Sequence, residues 1–165
     1  MKYTSAEAAK LLRGLNEELE AVRDAEISSR EFVAAISEDL ESVRPKYDFK
    51  ETQKEVDRLQ KEIRKVKHAI NVFNTTTVLP GFKMTIDEAL VYIPQLSAQK
   101  RKLAGMRSCM AKTREYNRMG GSIIEYRYAN YDIEAADAEF KRVSDLLAKA
   151  QTALDVVNNS VKFDI

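Results

Sequence analysis

Apolar residues recur along this chain at alternating three- and four-residue steps. Leu12, Leu15, Leu19, Val22, Glu26, Ser29, Val33, Ile36, Leu40 and Val43 hold the a and d positions of a heptad, with an acid at the midpoint of the seam. The spacing predicts a first helix over about 4–44. Thr4 or Ser5 caps it, and Glu7, three residues after Thr4, completes a capping box. Such a helix is about 60 Å long. Pro45 ends it, and Pro45-Lys46-Tyr47-Asp48 makes a turn in which Asp48 and Glu51 repeat the capping signature. A second helix over 49–74 carries Val56, Leu59, Ile63, Val66, Ile70 and Phe73 on one seam, so the first two helices should form an antiparallel hairpin.

Thr75 to Lys83 reads as a loop punctuated by Pro80-Gly81. Thr85 with Glu88 opens a third helix, over 86–118, with the less regular stripe Ile86, Leu90, Ile93, Leu96, Leu103, Met106 and Met110. Pro94 lies inside it, deletes the bond to the Leu90 carbonyl and predicts a kink. Gly120-Gly121 ends that helix. The period then changes to two. Ile124, Tyr126 and Tyr128 alternate with Ile123, Glu125, Arg127 and Ala129, as in a half-buried strand over 122–131. Asp132 caps a fourth helix over 133–158 with the seam Ile133, Ala136, Phe140, Val143, Leu147, Ala150, Leu154 and Val157, and the tail 160–165 alternates again. The two extended pieces are expected to pair, within one chain or with a second copy.

These elements predict one mainly all-α domain over 1–165. Its architecture is an antiparallel long-helix bundle of coiled-coil hairpins with a minor two-strand element. Composition fits: five glycines and three prolines stand beside 32% charged residues. Cys109 is the sole cysteine, which precludes an intramolecular disulfide and suits a reducing compartment or one indifferent to redox state. The start of the chain runs directly into a charged amphipathic helix, and no run of about 20 apolar residues occurs. A cytoplasmic protein with no membrane partner is expected.

The net charge of +1 hides alternation along the chain. Residues 1–45 hold 6 basic and 10 acidic side chains, 46–70 hold 8 and 5, 100–128 hold 8 and 2, and 129–165 hold 4 and 7. Neighbouring helices of opposite sign would select register and partners.

Several stretches resemble the septicolysin-like family of small, largely uncharacterised bacterial proteins. They are Ile70-Asn71-Val72-Phe73-Asn74-Thr75, then Gly81, the run Met84-Thr85-Ile86-Asp87-Glu88-Ala89-Leu90, Glu125-Tyr126, Asn158-Asn159 and Asp164-Ile165. Val91-Tyr92-Ile93-Pro94 stands where that family has a charged continuation, and the chain lacks the tryptophan the family carries near its end. The resemblance implies a mainly helical bacterial protein, and the family name suggests a cytolysin.

Glu26 draws attention because an ionised carboxylate at a core position is costly unless paired. A lysine or arginine from a neighbouring helix is its expected partner, and a buried ligand site is the alternative. Di-iron bundles need Glu-x-x-His pairs, but the one histidine, His68, follows Lys65 at that spacing. One Cys and one His argue against structural zinc, so neither metal nor cofactor is expected. His68 reads as solvated. Cys109 reads as a small buried filler, with basic neighbours Arg107 and Lys112 and no second histidine to act as its base.

Asn71, Asn74, Thr75, Thr76 and Thr77 crowd a helix end, where they satisfy orphan backbone groups. With Glu26, Asn71, Asn74 and Thr75 are the candidate polar ligand spot. Lys100, Arg101, Arg107, Arg114, Arg118 and Arg127, with Lys102, Lys112 and the tyrosines at 126, 128 and 131, are the candidate polyanion patch. Tyr126 and Tyr128 share a face with Ile124, which predicts their burial and weighs against nucleic acid, as does the small net charge. The pattern therefore predicts a non-enzymatic helical scaffold or interaction module that self-associates through its heptad seams. Nucleic-acid binding through 100–131 is the alternative, and the cytolysin rests on the family name.

Overall fold

A computed structural model of the chain describes residues 1–115 and 124–165. Its elements are β1 (Lys2–Thr4), α1 (Ser5–Ser29), α2 (Leu40–Val43), α3 (Phe49–Thr76), α4 (Ile86–Arg107), β2 (Lys112–Glu115), β3 (Glu125–Tyr128), α5 (Ile133–Ser160) and β4 (Lys162–Asp164). The fold is mainly helical with short antiparallel strands. The chain groups into two compact units, one of residues 1–76 with 157–165 and one of residues 77–156.

In the first unit α1 and α3 form an antiparallel hairpin. Thr4 caps α1 by the anticipated box: its hydroxyl accepts from the Glu7 amide, and the Glu7 carboxylate accepts from the Thr4 amide. Leu15 and Leu19 of α1 and Leu59, Ile63 and Val66 of α3 are the buried centre, flanked by Leu11, Leu12, Val22, Val56 and Ile70. The strands β1 and β4 pair antiparallel, Tyr3 opposite Phe163, and the Phe163 ring stacks on Phe73 with centroids 4.4 Å apart.

The first helix ends at Ser29, not near residue 44. Arg30 closes it with its amide bonded to the Glu26 carbonyl. No glycine or proline marks the stop. The cause is tertiary: α3 begins at Phe49, so the hairpin covers the seam only as far as Glu26, which lies beside Gln53. Beyond that point Val33, Ile36, Leu40 and Val43 are exposed, and an uncovered seam contributes little to holding a helix together. The connection instead makes a turn in which the Ala35 carbonyl accepts from the Glu38 amide, and then α2, capped by Asp39. Asp48 accepts from the Glu51 amide at the start of α3, as the spacing predicted.

In the second unit, Leu79-Pro80-Gly81-Phe82 is a turn closed by a bond from the Phe82 amide to the Leu79 carbonyl. Gly81 sits at φ +78°, the left-handed value that position demands after a proline. The Thr85–Glu88 capping box opens α4, which continues through Pro94 to Arg107. Antiparallel to it, α5 begins after Asp132, whose carboxylate accepts from the Glu134 and Ala135 amides. Leu96, Leu103, Val143 and Leu147 form the shared core.

Two further expectations fail here. The third helix does not reach 118: Ser108 closes α4, and 112–115 is a strand paired with β3. The extended pieces 122–131 and 160–165 do not pair with each other, since β3 takes β2 and β4 takes β1. Gly120-Gly121, Ser122 and Ile123 lie outside the described residues.

Candidate functional site

Glu26 is half-buried and its partners are neutral. Its Oε1 accepts from the Tyr47 hydroxyl at 2.7 Å and from the Gln53 amide nitrogen at 2.8 Å. The expected lysine or arginine is replaced by two uncharged donors from the turn and from the first half of α3. The bond to Glu26 holds the Tyr47 phenol above its ordinary pKa. Val22, Ala25 and Ser29 line an open cleft of about 320 Å³ with Glu26 and Tyr47. Its walls also carry Asp48, Glu51 and Glu55, offset by Lys46.

The rest of the polar ligand spot lies elsewhere. Asn71 and Thr75 stand 18 residues and more along α3 from Gln53, about 27 Å away. There Thr75 donates back to the Asn71 and Val72 carbonyls, Thr76 donates to Val72, and Asn74 is half-buried. This is helix-end satisfaction, and the structure does not gather Glu26, Asn71, Asn74 and Thr75 into one site. His68 is exposed. Among the described residues no group of three His, Cys, Asp or Glu side chains could hold a metal ion.

The candidate polyanion patch divides. Lys100 and Arg107 turn to the α4–α5 seam: the Arg107 guanidinium lies 4.0 Å from the Phe140 ring centre and 3.1 Å from Asp137, and the Lys100 ammonium lies 5.8 Å from the same ring. Lys141 at 2.7 Å, then Arg107, hold the Asp137 carboxyl below its usual range. Arg101 is exposed on α4. Arg114 and Arg127 belong to the β2–β3 hairpin, where Arg127 pairs with Glu115. Arg118 lies outside the described residues.

Burial of the tyrosines does not occur. Tyr126 is 43% and Tyr128 61% exposed, and Ile124 beside them is exposed too. Their strand has a hairpin partner but, among the described residues, no apolar layer covering it, and alternation in sequence cannot reveal that. Cys109 is likewise exposed, not a core filler. It follows the last turn of α4, where the Tyr131 hydroxyl donates to the Met106 carbonyl at 2.8 Å and the Cys109 thiol raises the Tyr131 pKa. Cys109, Tyr128 and Tyr131 line a cleft of about 340 Å³ at the foot of the hairpin.

Two surface features were not singled out by pattern. A cleft of about 550 Å³ lies between the Pro80-Gly81-Phe82 turn and Leu146, Lys149, Thr152 and Ala153 of α5, apolar apart from Lys149 and Thr152. The other is the string of exposed apolar residues from Ile27 through Phe49: Phe32, Val33, Ile36, Leu40 and Val43 lie between them. The heptad contained that signal, but as the seam of a continuous helix.

No protein-family model and no curated protein matches the chain. Among solved structures it is similar to a functionally unknown conserved protein from Corynebacterium diphtheriae, with a TM-score of 0.58 at 14% identity, over 99% of this chain and 100% of that one. The likeness is one of fold.

Proposed function

We propose that this chain is a non-enzymatic helical interaction module whose partner is a second copy of itself, joined through the apolar stretch 27–49. The observation that carries the reading is the exposure of Ile27, Phe32, Val33, Ile36, Leu40, Val43 and Phe49 within one connection. Apolar clusters of that kind mark interaction surfaces. The net charge of +1 gives little long-range repulsion between two copies. Membership of the septicolysin-like family and a cytoplasmic location accompany the reading. An exposed Cys109 suits a reducing compartment. Among the described residues no helix is long and apolar enough to cross a membrane.

Sedimentation velocity across the micromolar range tests it. A dimer or larger species that dissociates on dilution, and that V33K/I36K converts to monomer without loss of helical circular dichroism, is the expected result. A wild-type monomer at every concentration overturns it.

A further inference from the structure

We propose that the β2–β3 hairpin binds single-stranded nucleic acid across the face formed by Lys112, Arg114, Tyr126 and Tyr128. This surface is distinct from the apolar stretch at 27–49 and does not depend on it. The register carries the argument. Residues directly opposite on paired strands share a side of the ribbon, as do alternate residues along one strand. Lys112 faces Tyr128 and Arg114 faces Tyr126, so two cations and two phenols lie together on one side. Thr113 faces Arg127 and Glu115 faces Glu125 on the other, where Arg127 pairs with Glu115. Among the described strand residues charge is thus sorted: one side carries two cations, and the other one cation and two anions.

The rings on that side are placed for bases. Alternate strand residues stand about 7 Å apart, and the two ring centres are 6.4 Å apart with planes 50° from parallel, so the tyrosines do not stack on each other. The Lys112 ammonium sits 4.0 Å from the Tyr126 centre and 5.5 Å from that of Tyr128, holding a positive charge beside both rings. Rings for bases with cations for phosphates is the arrangement that retains single strands. A duplex keeps its base faces stacked within the helix and away from such rings. A bilayer rewards buried apolar area, and these four side chains, two cations and two phenols, have the exposed Ile124 beside them as an aliphatic neighbour, a small apolar area for insertion.

Fluorescence anisotropy of labelled oligothymidylate and oligouridylate with the full chain tests the proposal. Saturable binding is expected, with the matching duplex bound more weakly. Y126A and Y128A should each weaken binding at least about fivefold, and Y126F and Y128F should stay within about twofold of wild type. K112A/R114A should flatten the log–log salt dependence by about 1.4, from about 0.7 per phosphate contact. T113A, on the opposite side, should change nothing. Because the chain has no tryptophan, Y128W introduces a single indole, whose fluorescence a stacked base quenches. Absence of binding, alanine variants that bind like wild type, equal affinity for duplex, or an indole unmoved by bound oligonucleotide each overturns the proposal. So does binding confined to phosphatidylserine vesicles, which would assign the face to membranes.

Discussion

A phenol can donate to a carboxylate only while it keeps its proton, and this ties the Glu26–Tyr47 bond to pH. The bond raises the Tyr47 pKa in the folded chain above its unfolded value near 10. Its contribution to stability is therefore complete below about pH 10 and is lost as pH rises through the higher folded value. Absorbance titration of the tyrosines should place Tyr47, with Tyr131, among the phenols that ionise late, and E26Q should bring Tyr47 alone back toward the others while the fold persists. Glu26 could be recognised in sequence because an acid interrupts an apolar seam. Its partners could not, since Tyr47 and Gln53 become its neighbours only when the chain turns back on itself. The capping residues are the opposite case: Thr4 with Glu7, Thr85 with Glu88, and Asp48 with the Glu51 amide were all legible, because each acts within one helical turn.

At the level of the element, equal places in a heptad have unequal worth. Leu59 is fully buried between α1 and α3, whereas Val33 is 96% exposed. L59A should cost about 2–5 kcal/mol in chemical denaturation of the first unit, by lost burial and the cavity left behind. V33A in the dissociated chain should stay within about 0.5 kcal/mol of wild type. Periodicity records which face of a helix could be covered, and only the length of the partner decides how much is. That is why α3 and α5 came close to their expected bounds while α1 fell short. Short strands escaped for another reason. Lys2–Thr4 and Lys112–Glu115 are too brief to display a period, and each becomes a strand through its partner, at the far end of the chain for the first and across a hairpin for the second.

For the molecule entire, association and stability are linked. If a second copy covers the apolar connection, the folded form gains free energy with concentration, and the midpoint of thermal unfolding rises on going from low to high micromolar chain. V33K/I36K should remove that dependence, with a single midpoint at all concentrations by differential scanning calorimetry. The mainly helical class was readable from the chain because it rests on sums over many residues. The two candidate surfaces differ in how far they could be read: the greasy stretch was hidden within a continuous heptad, whereas the hairpin's basic and aromatic residues stood out as a candidate polyanion patch whose tyrosines were expected to be covered.

The pairing of β1 with β4 has a practical outcome. The Met1 ammonium lies 3.4 Å from the Ile165 carbonyl, and the Ile165 amide donates to the Met1 carbonyl at 3.1 Å. Anything joined ahead of residue 1 and anything joined after residue 165 must leave from the same spot, so fusions at the two ends would crowd each other. A short peptide bridge there would close the polypeptide into a ring, and new openings could then be cut elsewhere to make permuted versions with the same contacts.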